Sequence, residues 1–223
     1  MSKNAIILFD LDGTLIDSTP AIYFSFSQAY KEHRLQPPSL ESVKQSIGHT
    51  LEDMFLAQGV PKDKVSEFIK SYRLAYRTQM EAGTTLLPNA KEAIILGYEF
   101  AHLGIVTTKR GDFSTKLLES FGVLHYFSVI VGIENVSNPK PHSEPIICAL
   151  DSIREMRKCD IAMSSCFMVG DTILDLQAAK NAGITGVGVL CGYGDSKSLQ
   201  QHTQNIYQDA LAATKHIQAI LSI

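Results

Sequence analysis

Apolar residues recur along this chain in two patterns. Continuous runs such as Ala5-Ile6-Ile7-Leu8-Phe9 suit strands covered on both faces, as in a parallel sheet, whereas repeats every three or four positions mark amphipathic helices. Ile22, Phe26, Ala29, Tyr30 and His33 fall at helical spacing from Pro20, and Val65, Phe68, Ile69, Tyr72, Tyr76 and Met80 do so again from Lys64. Between them, residues 39–46 and 50–58 are helix-length segments punctuated by Pro37-Pro38, Gly48 and Gly59-Val60-Pro61. No strand pattern interrupts the stretch from Ser18 to Met80, which therefore predicts a helical insert of about sixty residues, the size of a small domain.

From Pro88 the pattern changes to alternating helix and strand, the signature of βαβ units. Helices are expected over 89–96, 112–121, 143–154 and 172–182, the second closed by Gly122 and the last by Gly183. Strands are expected over 103–106, 127–131, 166–169 and 186–190. A final amphipathic helix is expected over 203–221, with Ala210, Ala213, Ile217 and Ile220 on the side that packs against the sheet. The fold class is α/β, a doubly wound parallel sheet with a small all-helical cap inserted after the first strand. Residues 1–16 and 88–223 would form the core and 17–87 the cap.

Composition narrows the field. A chain of 223 residues with 45% hydrophobic content can bury one sizeable core plus a small satellite. A net charge of −3 and a pI near 6.2 give no long-range attraction to nucleic acid or to an anionic membrane, so affinity for a phosphorylated ligand has to be local. Cys148, Cys159, Cys166 and Cys191 show no C-x-x-C spacing, and the N-terminus lacks the apolar core of a signal peptide. No apolar run approaches the ~20 residues that span a bilayer. Reduced thiols in a cytoplasmic protein are the expectation.

Charge begins where the first strand stops, in Asp10-Leu11-Asp12-Gly13-Thr14. In extended chain, side chains two apart lie on one side, so Asp10 and Asp12 are expected to face one point while Gly13 permits a tight turn. Carboxylates so placed repel unless a cation sits between them, and Mg2+, hard and oxygen-seeking, fits that need. An EF-hand is excluded, because its twelfth position counted from Asp10 is Ala21 rather than Glu. A second acidic station repeats the design: Cys166-Phe167-Met168-Val169-Gly170-Asp171 leads into a helix that carries Asp175, and the two carboxylates can share a face at its start. Helix capping is the alternative for Asp175. The strand Leu103-Gly104-Ile105-Val106 runs into Thr107-Thr108-Lys109, where Thr107 taken alone reads as a turn or capping residue and Lys109 equally as a solvated lysine or a substrate contact. Pro139-Lys140-Pro141 holds a lysine on stiff backbone, so that it loses little entropy on binding an anion.

The strings FDLDGTLIDS, IVTTKR, NPKPHSEP and VGDTILDLQAAKNAG together resemble the haloacid dehalogenase superfamily of aspartate-nucleophile phosphotransferases, most closely its phosphoglycolate phosphatase branch with a helical cap. The resemblance implies a Rossmann-like core, Mg2+ held by Asp10, Asp12 and Asp171 with Asp175 supporting the site, and phosphoryl oxygens bound by Thr107 and Lys140. The family lysine often stands in Lys-Pro-x-Pro, whereas here the second proline is displaced to Pro145. Asp10 would be the nucleophile and Asp12 the acid and then the base. Relatives that dehalogenate lack that second acid, and β-phosphoglucomutase usually carries a larger apolar residue in place of Thr14. The expected activity is hydrolysis of a small phosphorylated metabolite, phosphoglycolate first, with pyrophosphatase, nucleotidase and phosphomutase chemistry as alternatives. Thr107, Thr108, Lys109 and Lys140 from the core, and Gly48 and His49 from the cap, are the candidate substrate contacts.

Overall fold

The computed structural model describes residues 3–221. β1 (Ala5–Phe9) runs into a short β2 (Ile16–Asp17), after which come α1 (Thr19–Glu32), α2 (Leu40–Lys44), α3 (Leu51–Ala57) and α4 (Val65–Gln79), and the chain returns through β3 (Thr85–Leu86). Alternation follows with α5 (Ala90–Phe100), β4 (Ala101–Val106), α6 (Gly111–Ser120), β5 (Phe127–Val131), α7 (Glu144–Arg157), β6 (Cys166–Gly170) and α8 (Ile173–Ala182). β7 (Thr185–Val189), α9 (Ser196–Gln200), β8 (Ile206–Tyr207) and α10 (Ala210–Ile220) complete the chain.

Six strands form one parallel sheet in the order β5-β4-β1-β6-β7-β8, with Ile7 of β1 paired to Leu103 on one side and Phe167 on the other. Ala5, Ile7 and Phe9 join the apolar cluster that includes α5, α6 and α10, while Ile6 and Leu8 join the one that includes α7 and α8. Burial on both faces is why β1 reads as an unbroken apolar run. The order of strands reverses about β1, so its carboxyl end is a topological switch point, where open α/β sheets bind ligands.

Helices α1 and α4 pack side by side, and α3 closes the layer through rings that fill its centre. Phe26 lies 4.3 Å from Phe55 and 5.3 Å from Tyr72, centroid to centroid. The oxygens of Ser39 and Thr50 accept the N–H groups of Ser42 and Asp53, capping α2 and α3. Where this helical layer leaves and rejoins the sheet, β2 and β3 pair antiparallel, Ile16 opposite Leu86, in a two-stranded ribbon that the sequence pattern did not reveal. The expected helix over 203–221 is also corrected. The Asp209 carboxylate accepts the Ala212 N–H and starts α10 there, and the residues before it form β8 instead. Ile220 is 50% exposed, so the packed side is Ala210, Ala213, Thr214 and Ile217.

Candidate active site

β1, β4 and β6 end side by side, and the turns just past them carry Asp10, Thr107 and Asp171. One ligand-capable oxygen from each of Asp10, Asp171 and Asp175 falls in a group spanning no more than 4.8 Å, and all three residues are buried. Lys140 reaches into the group. Its Nζ donates to Asp175 Oδ1 at 2.5 Å and to the Val106 carbonyl at 3.2 Å, and lies 3.0 Å from Asp10 Oδ1. The last contact has ion-pair distance without the direction of a hydrogen bond, so Asp10 Oδ1 is a buried acceptor with no directed donor. Asp175 Oδ2 accepts both the N–H and the hydroxyl of Thr172, so the capping role and the place in the cluster are both real.

Three buried carboxylates around one ammonium leave the charge unbalanced. Burial pushes the Asp10 carboxyl up to about 7, with Lys140 opposing the rise and Asp175 and Asp12 adding to it. Burial and then the charges of Asp175 and Asp10 hold Asp171 well above the usual carboxylate range. For Lys140 burial acts downward, but Asp10 and Asp175 outweigh it and keep the group charged. An excess of buried carboxylate oxygen, one of them lacking a directed donor, is what a hard divalent cation would relieve.

Asp171 is fixed by two donors, the Thr14 hydroxyl at 2.9 Å and the Tyr193 N–H at 2.8 Å. Close approach of these turns depends on glycine. Gly13 sits at φ +83°, and a Cβ there or at Gly192 would run into the Asp171 carboxylate.

Asp12 departs from expectation. Its carboxylate is outside the three-aspartate group and pairs instead with Lys109, Nζ to Oδ2 3.0 Å, and accepts the Ser18 hydroxyl. The reason is that the strand stops at Phe9: Leu11 lies in a bend whose carbonyl accepts from Leu15 and Ile16, so the rule that side chains two apart share a side no longer holds. The Lys109 side chain is only 7% exposed, and its Nζ donates to the Tyr76 hydroxyl at 2.9 Å. Burial works against its charge, yet Asp12, Tyr76 and Tyr72 together hold the ammonium well above its ordinary pKa.

Thr107 is buried just past β4, where its oxygen accepts the Lys109 N–H at 3.2 Å and its hydroxyl proton stays available to donate. Between the helical layer and the sheet is a cavity of about 460 Å³ whose wall includes Asp12, Gly48, His49, Thr108 and Lys109. Thr108 and Gly48 meet each other there, hydroxyl to carbonyl at 3.0 Å, and His49 is exposed. The structure thus brings Asp10, Lys140, Asp171 and Asp175 into one cluster and sets Asp12, Thr108, Lys109, Gly48 and His49 along the adjoining cavity. Thr14, Ser18, Tyr76 and Tyr193 were missed from sequence. Thr14 and Ser18 do lie within the FDLDGTLIDS string, and Tyr193 stands between Gly192 and Gly194 just after an apolar run, whereas Tyr76 carried no signal beyond its place in a helical stripe.

The family model for haloacid dehalogenase-like hydrolases matches residues 7–189. The pyrophosphatase PpaX of Bacillus velezensis is 32% identical over 221 residues, which cover 96% of this chain and 96% of that protein. A phosphoglycolate phosphatase of Shigella boydii is 31% identical over 221 residues, 87% of this chain and 85% of that one. Among solved structures, a haloacid dehalogenase-like family hydrolase of Streptococcus pneumoniae superposes with a TM-score of 0.83 at 26% identity, over 98% of this chain and 100% of that one.

Proposed function

The chain belongs to the haloacid dehalogenase-like hydrolase family, and we propose that it is a Mg2+-dependent phosphomonoester hydrolase that works through an aspartyl phosphate on Asp10. One observation carries this reading: the buried cluster of Asp10, Lys140, Asp171 and Asp175 at the switch point of the sheet, beside a cavity of about 460 Å³. Asp10 and Asp171 are the residues that would hold Mg2+, since Asp175 is engaged by Lys140 and Thr172. Oxygen donors without histidine or cysteine suit that ion. When bound, it would offset the carboxylate charge and draw electron density from the phosphoryl oxygens.

The Asp10 carboxylate attacks phosphorus, the P–O bond to the leaving group breaks, and the leaving oxygen takes a proton from Asp12. A water molecule then gives a proton back to Asp12 as its oxygen attacks the aspartyl phosphate, which releases inorganic phosphate and the Asp10 carboxylate. Lys140 and the Thr107 hydroxyl bind phosphoryl oxygens throughout. Residues 17–87 act as a cap hinged at the β2–β3 ribbon, closing over the ester and excluding water. Phosphoglycolate, in the name of the Shigella boydii relative, is the first substrate to test. Pyrophosphate, in the name of the Bacillus velezensis relative, is the second.

Chelation with EDTA should abolish release of p-nitrophenol from p-nitrophenyl phosphate, and Mg2+ should restore it. A melting curve gives a readout independent of turnover. The Asp10 carboxyl rises from 3.8 to about 7 on folding and Asp171 rises too, so each costs stability once pH exceeds its unfolded value, and the cost grows until pH passes the folded one. Mg2+ should therefore raise Tm most at pH 8 and little at pH 5, where Asp10 is largely protonated. Full activity in EDTA together with no shift at pH 8 would remove the metal from the mechanism. His49→Ala tests the cap separately. It should lower kcat/KM several-fold for the preferred ester, the worth of one hydrogen bond at about 1 kcal/mol, and spare acetyl phosphate. A uniform loss would mean damaged cap closure.

A further inference from the structure

The cavity between the helical layer and the sheet is walled by three cations with unequal partners. Lys109 is paired with Asp12 at 3.0 Å, and Arg110 makes a forked contact with Asp112 at 2.9 and 3.1 Å. Arg73 of α4 makes no ion pair among the described residues, and its Nε is buried without a hydrogen-bond partner. The two acids of α3 on the same wall, Glu52 and Asp53, are exposed, and Asp53 is taken by the Thr50 hydroxyl. Burial and then the neighbouring charge of Arg110 pull the Arg73 pKa down, with Asp112 and Glu134 opposing. A guanidinium left this way gains most from an incoming anion, because a buried N–H without an acceptor is costly and the fork of Arg matches carboxylate or phosphate oxygens.

Position sets the length of the ligand. Tyr76 lies three residues along α4 from Arg73, a rise of about 4.5 Å. Its hydroxyl meets Lys109, the partner of Asp12. We propose that Arg73, with Arg110 beside it, is an anion subsite for the leaving-group side of the substrate. The protein accordingly acts on short phosphate esters or anhydrides that carry a second negative group, carboxylate or phosphate. This rests on the phosphatase reading, with the phosphoryl group at Asp10 and Lys140 and the leaving oxygen towards Asp12.

The parent, Arg73→Gln and Arg73→Lys, each checked for folding by circular dichroism, are assayed with Mg2+ on phosphoglycolate, pyrophosphate and ethyl phosphate, the last lacking a second charge. Arg73→Gln should lose roughly tenfold or more in kcat/KM on an anionic substrate relative to ethyl phosphate, chiefly through KM, with Arg73→Lys in between. A larger loss on phosphoglycolate identifies carboxylate as the occupant, and a larger loss on pyrophosphate identifies phosphate. Equal losses on all three, or none, overturn the subsite and leave the phosphatase reading standing. If the parent hydrolyses neither these nor p-nitrophenyl phosphate, the phosphatase reading fails, and binding decides the subsite alone. Phosphonoacetate should then raise the parent's Tm more than methylphosphonate does, a difference that Arg73→Gln should erase; no difference in the parent overturns the subsite.

Discussion

Asp10→Asn should abolish phosphate release, lowering kcat on p-nitrophenyl phosphate by on the order of 10⁴-fold or more, while the protein still folds. The amide fills the same volume but is neither an effective nucleophile nor a strong ligand for a hard cation. Stability should hold because the carboxylate is not comfortable where it is. Burial, opposed by Lys140 and reinforced by Asp175 and Asp12, holds its pKa near 7, a free-energy cost that a neutral amide escapes at pH 8. Lys140 keeps Asp175 at 2.5 Å as its remaining partner. Without metal, the variant should therefore melt at or above the parent's Tm at pH 8. A parent-like rate would move the nucleophile elsewhere, and a lowered Tm would mean that activity was lost through unfolding.

What sequence made legible was whatever burial repeats. β5 was read at its observed bounds, and β6, α6 and α8 within a residue or so, because a strand covered on both faces or a helix with one packed stripe must show its period over five or more positions. β2, β3 and β8 are two residues each and have no period to show. α9 is five residues held by its Asp195 cap, too short for a stripe. The site divided along the same line. Asp10, Lys140 and Asp171 stand next to strands or stiffened turns, so their convergence follows once the order of strands is known. The direction of the Asp12 side chain depends on a bend at Leu11, which alternation cannot foresee.

Contacts between layers were the least legible. Tyr76 reads as one more apolar position on α4, yet its hydroxyl finds Lys109 across 33 residues of chain and links the helical layer to Asp12. Arg73 looks like a solvated lysine or arginine on the same helix until the cavity wall is seen to enclose its Nε. Contacts between the helical layer and the sheet thus rest on pairs that no local pattern announces, whereas the residues proposed to bind the phosphoryl group stand in contiguous motifs.

Lys140→Met should be the most destabilising single change in the site. The methionine keeps much of the stem, but it leaves Asp10, Asp171 and Asp175 buried together without the ammonium now 2.5 Å from Asp175 and 3.0 Å from Asp10. Removing one partner of a buried pair costs about 3–5 kcal/mol. For a chain of this size that is a fall in Tm of roughly 10 °C. Charge rather than packing is the cause, and pH separates the two. Lys140 is the group that opposes the rise of the Asp10 pKa, so its loss moves that pKa further above the unfolded 3.8. A carboxyl raised by folding costs nothing below the unfolded value and costs more as pH climbs towards the folded one. The Tm difference between parent and variant should therefore be small near pH 4 and largest near pH 8, where Mg2+ should recover part of it by taking up the carboxylate charge. Activity should not follow that recovery: without Lys140 on the phosphoryl oxygens, kcat should stay on the order of 10²–10³-fold down even in the stabilised protein. A Tm difference that is flat from pH 4 to 8 would show instead that the methionine simply packs badly.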